Sequence, residues 1–348
     1  MRALVSVGAL LAIVVVVWVW PRGEPPSSDD SPTILTSTVP PDGGEPALRP
    51  LVPPGRATLP SGAAASVTPP PSAGPGPAFP PVVPAATRPA TSQPSATADP
   101  AQAQADFQTG LKACQRGGLL TARTYLNRAL HAALPPDQAR RARKTLADLA
   151  DRTIFSRGAI KDDPLVDHYV VQKGDALGKI ARQFKVSEDF LARINGITNK
   201  HFIRDGKRLK VVHGPFHAAI TRPDHLMHVY LQDVYVRTYR VALGANGATP
   251  TGWWKVANRQ KNPSWTDPRT GKRWYADDPQ NPIGEYWIGL AGFEGDALGQ
   301  FGYGIHGTIE PETIGQDVSM GCVRLAPEDI ASLYQLLVPG ESLVTVTD

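Results

Sequence analysis

The stretch G-I-H-G-T-I-E-P-E-T-I-G-Q-D-V-S-M-G-C-V-R-L, from Gly304 to Leu325, decides how the C-terminal part of this 348-residue chain is read. It holds one of only two cysteines, Cys322, and a histidine upstream of it, His306. A thiol is a poor nucleophile until deprotonated, and a neighbouring imidazole is a common means to that end. The two are too far apart to meet locally, so two strands, or a strand and a loop, must bring them together. Gly307 and Gly321 leave room for backbone to approach a substrate carbonyl. Ala326-Pro327-Glu328-Asp329 then starts a helix that would hold the cysteine loop in place. From the residues alone, a buried thiol and a surface histidine explain the pair as well as a nucleophile and its base do.

Around this stretch the pattern from Pro215 onward is strand-rich, with alternation in HAAITRP and in HLMHVYLQDVYVRTYRVALG. Thr249-Pro250-Thr251-Gly252 is a turn signal. His213, His217, His225 and His228 could be imagined as metal ligands, but on alternating strands they share no obvious face. No thiolate or carboxylate cluster accompanies them, so no metal is expected.

Residues 168–212 change character. HYVVQ alternates as a strand, K-G-D marks a turn, and ALGKIARQF has helical spacing. Ser187 is placed to cap a second helix carrying Phe190, Leu191 and Ile194. Asn195-Gly196 ends that helix, and RLKVV reads as a closing strand. Residues 101–156 read as helices: Phe107, Leu111 and Cys114 share a face, and Gly117-Gly118 breaks the run. Leu126, Ala129, Leu130 and Ala133 mark a second helix before Pro135-Pro136. A third begins near Asp137 with Ala139, Ala142, Leu146 and Leu149. The helix pair resembles a single tetratricopeptide unit without a second copy. Cys114 is expected to be a small buried hydrophobe, and Arg140, Arg141, Arg143 and Lys144 a solvated face.

Of the 35 prolines, 22 fall between Pro21 and Pro100, in a stretch of Pro, Ala, Ser, Thr and Gly. It buries too little surface to offset ordering entropy and is expected to be a disordered tether. Residues 3–20 are apolar and uncharged, and as a helix would span roughly 27 Å, close to a bilayer core. They are read as a membrane anchor, the rival being a cleaved signal peptide. Trp18, Trp20 and Pro21 stand where a cleavage site wants small residues. The net charge of +4 gives no reason to invoke nucleic acid. Two distant cysteines are neither a disulfide framework nor a zinc set.

Two resemblances sharpen this. Y-V-V-Q-K-G-D-A-L-G-K-I-A-R, I-N-G-I-T-N and I-R-D-G-K-R-L-K-V together resemble the LysM domain, with Ala176 where that family usually has a hydroxyl residue. The resemblance implies binding of N-acetylglucosamine-containing glycans at Gly174, Asp175, Leu177, Ile197 and Ile203. The stretch from Gly304 to Leu325, with the T-P-T-G-W-W turn, the N-P-x-W near Asn262 and the N-P-I-G near Asn281, resembles the L,D-transpeptidase (YkuD-like) family. That resemblance implies Cys322 as acylated nucleophile, His306 as base, and the Gly307 carbonyl as the group orienting the imidazole. Backbone N–H groups around Gly321 and Cys322 would form an oxyanion hole. Ser319 would shape the loop, and Arg324 would either hold a substrate carboxylate or brace the loop. Met320 stands where many relatives carry a second histidine.

The expectation is a multidomain chain: anchor or signal segment (1–20), linker (21–100), helical segment (101–157), small α+β LysM domain (167–213) and a mainly β, sandwich-like catalytic domain (215–348). The implied partner is peptidoglycan, with no cofactor, at an extracytoplasmic, membrane-tethered location. The implied reaction is acyl transfer from tetrapeptide stems to an amine; alternatives are water as acceptor and a non-catalytic wall tether.

Overall fold

The structure is a computed structural model that describes residues 99–132 and 134–348. The apolar segment at 3–20, the tether up to residue 98, and Ala133 lie outside the described residues. Among those described, no helix is long and apolar enough to cross a membrane.

Three helices open the described region: α1 (Pro100–Gln115), α2 (Leu119–His131) and α3 (Pro136–Thr153). The expected faces pack together, with Phe107, Ala122, Leu126, Leu146 and Leu149 in one buried cluster. Gly110 is what lets α1 approach α2, since a Cβ there would sit 2.6 Å from Leu126 Cγ. Cys114 is only half-buried at the margin of this cluster, not the fully buried residue expected. Arg143 also departs from the solvated face expected of it: its Nε is buried, and its charge acts on His228, Tyr230 and Tyr235.

The next unit is strand–helix–helix–strand, as expected: β1 (Val166–Val170), α4 (Leu177–Gln183), α5 (Glu188–Asn195) and β2 (Arg208–Val212), with β1 and β2 antiparallel. Ser187 caps α5 by accepting the Phe190 N–H at 3.0 Å. Gly196 ends the helix in the left-handed conformation, φ 61°.

The rest of the chain is mainly β, as expected. Its strands are β3 (Phe216–Thr221), β4 (Leu226–Leu231), β5 (Val234–Arg240), β6 (Leu243–Gly244), β7 (Gly252–Lys261), β8 (Trp265–Thr266) and β9 (Arg273–Trp274). They continue as β10 (Tyr286–Glu294), β11 (Tyr303–His306), β12 (Asp317–Ser319), β13 (Val323–Arg324) and β14 (Leu343–Thr347). One helix, α6 (Pro327–Tyr334), follows β13 with proline in its first turn. Eight strands form a mixed sheet in the order β13-β11-β10-β7-β14-β3-β4-β5.

The three segments are not separate beads. Phe190 of α5 and Phe216 of β3 are both fully buried, and their rings meet edge to face at 5.2 Å. One apolar cluster therefore runs from the small α+β unit into the sheet. The helices close the sheet's other end. Asn127 of α2 accepts the Tyr235 N–H of edge strand β5 at 3.0 Å, and His131 meets the Asp233 carbonyl at 2.8 Å. An unpaired strand edge invites foreign strands, and this cap occupies it. Arg123 and Asp163 add a buried bidentate ion pair.

Lys210 of β2 is the least expected tie. It is buried, and its ammonium donates to the carbonyls of Thr153 (2.6 Å), Ile154 (3.1 Å), Ser156 (2.8 Å) and Gly158 (2.9 Å). Carbonyls at and beyond a helix C-terminus have lost their intrahelical donors, and here one cation serves those following α3. Burial draws the Lys210 pKa down to about 8, which leaves it protonated at neutral pH. Lys210→Met keeps the length but strands these carbonyls, so it is expected to cost roughly 2–4 kcal/mol in denaturant unfolding. A loss under 0.5 kcal/mol would remove this tie from the fold's support.

Candidate active site

β11 and β13 lie parallel at one end of the sheet, with Ile305 opposite Val323 and His306 opposite Arg324. Cys322 enters β13 at the level of Gly304. This is the strand-and-loop meeting that the sequence required, and both side chains line one cavity of about 220 Å³. Trp287, Phe301, Tyr303 and Met320 form much of its wall.

The imidazole is fixed on two sides. His306 Nδ1 lies 2.6 Å from the Gly307 carbonyl oxygen. A carbonyl only accepts, so Nδ1 carries the proton and Nε2 is left with its lone pair. The Trp287 indole stacks on the ring with centroids 5.8 Å apart and planes 18° apart. Gly304 makes room for that indole, since a Cβ there would lie 2.4 Å from it. Neither Trp287 nor Gly304 stands out in the sequence, because the requirement is set by the neighbouring strand.

Burial governs the charge state. His306 is 5% exposed, and desolvation draws its pKa down to about 4, helped by the Arg324 charge and resisted by the Gly307 carbonyl. Burial also pushes the Cys322 thiol up, against the Gly304 N–H and the Arg324 charge, which favour the thiolate. At neutral pH the resting pair is a neutral thiol and a neutral imidazole.

The loop carrying Cys322 is held from beneath. The Ser319 hydroxyl donates to the Cys322 carbonyl at 2.6 Å and accepts the Gly321 N–H at 3.1 Å. The Gly321 N–H is thereby engaged, which argues against the oxyanion role expected of it, whereas the Cys322 N–H has no protein acceptor among the described residues. Gly321 has φ +131°, and a Cβ there would meet the Tyr303 ring at 2.7 Å. Thr249 hangs the loop from the T-P-T-G turn, donating to the Gly321 carbonyl at 2.9 Å while accepting the Gly244 N–H at 2.8 Å. That turn was legible as punctuation but not as a support for the loop. Arg324 lines the cavity, approaches Glu310 at 3.4 Å, and has a buried Nε without a partner among the described residues.

The five residues expected to hold a glycan are placed differently from one another. Leu177 is buried in the core, not lining a groove. The Asp175 carboxylate accepts the Gln172 N–H and the Tyr169 hydroxyl, each at 2.8 Å, which closes the turn and holds its pKa low. Gly174 is exposed, and Ile197 and Ile203 are half-buried against the core. The histidines weighed as metal ligands have separate surroundings. His217 accepts the Leu343 N–H, His228 meets Thr238, His225 meets Asp317, and His213 packs on Phe184.

A mixed sheet with a thiol and an imidazole in one cavity, preceded by a small α+β unit, defines a two-module class of protein. The description "L,D-transpeptidase catalytic domain" (YkuD) matches residues 215–346, and "LysM domain" matches residues 169–212. The putative L,D-transpeptidase YkuD of Bacillus subtilis is 30% identical over 191 residues, covering 51% of this chain and 97% of that protein. The probable L,D-transpeptidase YcfS of Escherichia coli is 26% identical over 195 residues, covering 50% of this chain and 59% of that one. A solved structure, L,D-transpeptidase 3 from Mycobacterium tuberculosis, overlaps with a TM-score of 0.31 at 16% identity, covering 41% of this chain and 66% of that one. The chain belongs to the L,D-transpeptidase family, with a LysM domain ahead of the catalytic domain.

The burial of His306 has a consequence for stability. Its folded pKa of about 4 lies below the ordinary 6.5, as do those of His217 and His228, chiefly through burial, with Arg324 adding to it at His306 and Arg143 at His228. Between these values the unfolded chain binds more protons than the folded one, so stability falls as pH drops from about 6.5 toward 4. Tm measured across that window is expected to decline, and less steeply in His306→Gln.

Proposed function

We propose that this protein cross-links or otherwise remodels peptidoglycan by L,D-transpeptidation, with Cys322 as nucleophile and His306 as base. The observation that carries the proposal is the His306–Gly307 hydrogen bond. It commits Nδ1 as a donor and leaves Nε2 as an acceptor in the cavity that also holds the thiol.

The Cys322 S–H proton passes to His306 Nε2 as sulfur attacks the carbonyl carbon of the amide between the third and fourth stem residues. The C–N bond then breaks, His306 returns the proton to the departing D-alanine amine, and a thioester remains. An acceptor amine attacks the thioester, gives its proton to His306, and releases the Cys322 sulfur, which is reprotonated. Under this proposal, with the pair neutral at rest, the proton moves to His306 as sulfur attacks. The Cys322 N–H, lacking a protein acceptor, is the donor best placed for the developing oxyanion. Arg324, with its unpartnered Nε, is assigned to a substrate carboxylate.

The LysM domain would hold glycan strands near this cavity, and its backbone turns are the groups available to sugar amides. An extracytoplasmic location, with the segment at 3–20 as anchor and the proline-rich stretch as tether, fits that substrate.

The test is intact-protein mass spectrometry after incubation with disaccharide-tetrapeptide or a carbapenem. One covalent adduct is expected on the unaltered chain and none on Cys322→Ala. Cys322→Ser should lose adduct formation by about a thousandfold or more, since a serine hydroxyl ionises far less readily. His306→Ala should acylate slowly, with the rate rising at alkaline pH as the thiol ionises unaided. An adduct that persists in Cys322→Ala but vanishes in Cys114→Ala would sink the assignment. Product analysis with an added amine separates cross-linking from hydrolysis.

A further inference from the structure

A second cavity, of about 270 Å³, lies where the LysM domain meets the catalytic domain, and the mechanism above makes no use of it. Its LysM side includes Asp189, Arg193, Ile197 and Lys200, and its catalytic side Lys261, Tyr286, Tyr334 and Gln335. The volume is near the lower end of roughly 300–1,000 Å³ small-molecule sites, the scale of one sugar ring.

Three features point to the ligand. Tyr286, half-buried and backed by the buried Tyr334 with ring centroids 4.9 Å apart, gives an aromatic wall of the kind on which the apolar face of a pyranose packs. Gln335 Oε1 is buried and has no partner among the described residues, so it would take a hydroxyl or amide N–H from a ligand. Three cations, Lys200, Lys261 and Arg259, act on the Asp189 carboxylate, and Glu188 is a second carboxylate near Lys200. Asp189 is held by Lys200 at 2.7 Å and approached by Lys261 at 3.4 Å, so positive charge is left over.

The cavity is also tied to both recognition elements. Ile197, assigned above to glycan binding, lines it directly. Tyr286 precedes Trp287 on β10, and consecutive strand residues point to opposite faces. Tyr286 thus lines this cavity while Trp287 lines the one holding Cys322 and His306.

We propose that this junction is a second saccharide subsite, which takes an amino-sugar unit with a carboxylate attached through its substituent. The ring packs on Tyr286, its amide or hydroxyl meets Gln335, and the carboxylate meets Lys200 and Lys261. The proposal rests on the glycan-binding reading of the LysM domain and extends it across the domain boundary. In peptidoglycan the carboxylate has two sources: the free lactyl group of a stem-free muramyl unit, and the carboxylates of the stem peptide.

The test uses the full chain carrying Cys322→Ala, so that no probe is consumed, and measures affinity calorimetrically for three probes. These are neutral chitotetraose, a stem-free tetrasaccharide of alternating N-acetylglucosamine and N-acetylmuramic acid, and the same tetrasaccharide bearing tetrapeptide stems. At least one anionic probe is expected to bind about fivefold more tightly than chitotetraose, with the preference fading at high salt. Lys261→Gln, and more fully Lys200→Gln with Lys261→Gln, should erase the preference while chitotetraose affinity holds, which also reports an intact fold. Should the double variant lose its fold, the exposed Lys261→Gln alone decides. Preference for the stem-free probe alone assigns the lactyl source, and preference for the stem-bearing probe alone assigns the peptide source. If chitotetraose binds but the anionic probes gain nothing, or if the preference survives the lysine variants, the subsite is refuted and the LysM reading stands. If no probe binds, both fall.

Discussion

The parallel pairing of β11 with β13 is the constraint from which the rest of the candidate site follows. The two strands, far apart in sequence, meet because the chain between them, residues 307–322, leaves the sheet and returns in the same direction. The return must end in a backbone conformation that side chains tolerate poorly, under the Tyr303 ring, and Gly321 supplies it. Once Val323 is in register with Ile305, Cys322 has no freedom along the strand. The helix that follows, α6, then locks the end of the loop by burying Ile330 and Leu333 against the sheet. A slip of one residue in this pairing would turn the thiol to the opposite face.

The extent to which this was legible in the sequence differs residue by residue, for physical reasons. His306, Gly307 and Cys322 are singled out by the family resemblance of the stretch from Gly304 to Leu325, since from the residues alone a buried thiol and a surface histidine serve as well. Ser319 was legible as a loop-shaping residue, yet the same hydroxyl takes the Gly321 N–H expected at the oxyanion. Thr249 and Gly304 were opaque because their roles are relational. Thr249 matters through Gly321, far away in sequence, and Gly304 matters through the indole on the next strand. The strand–helix–helix–strand unit was readable from local turn and cap signals such as Ser187 and Gly196. Its fusion to the sheet was not, since nothing in the RLKVV pattern announces that Lys210 reaches back to α3. A lysine in a strand reads as a solvent-facing residue until the carbonyls around it are seen.

That fusion changes what the LysM segment can do. A module on a flexible linker would search space independently, and its binding would raise only the local concentration of substrate. Here Phe190 and Phe216 share a core, and Ser187 donates to the Gln335 carbonyl near the end of α6. Under the proposed function, a glycan held by one domain would be presented to the other at a fixed bearing. That would be positioning through rigidity.

Burial sets the terms of the chemistry. The same desolvation that draws the His306 pKa down to about 4 and pushes the thiol up also removes the water that would screen a developing charge. An imidazolium is disfavoured in such a cavity, because it is desolvated there and the Arg324 charge beside it has the same sign. Gly307 offers the imidazole only a carbonyl, which orients it and weakly favours its charged form. Under the proposed mechanism the nucleophile is made when substrate arrives, with the charge forming on an oxyanion near the Cys322 N–H. The Arg324 charge favours the thiolate and the loss of a proton from the imidazole alike, so it helps Cys322 to ionise while making His306 a weaker base.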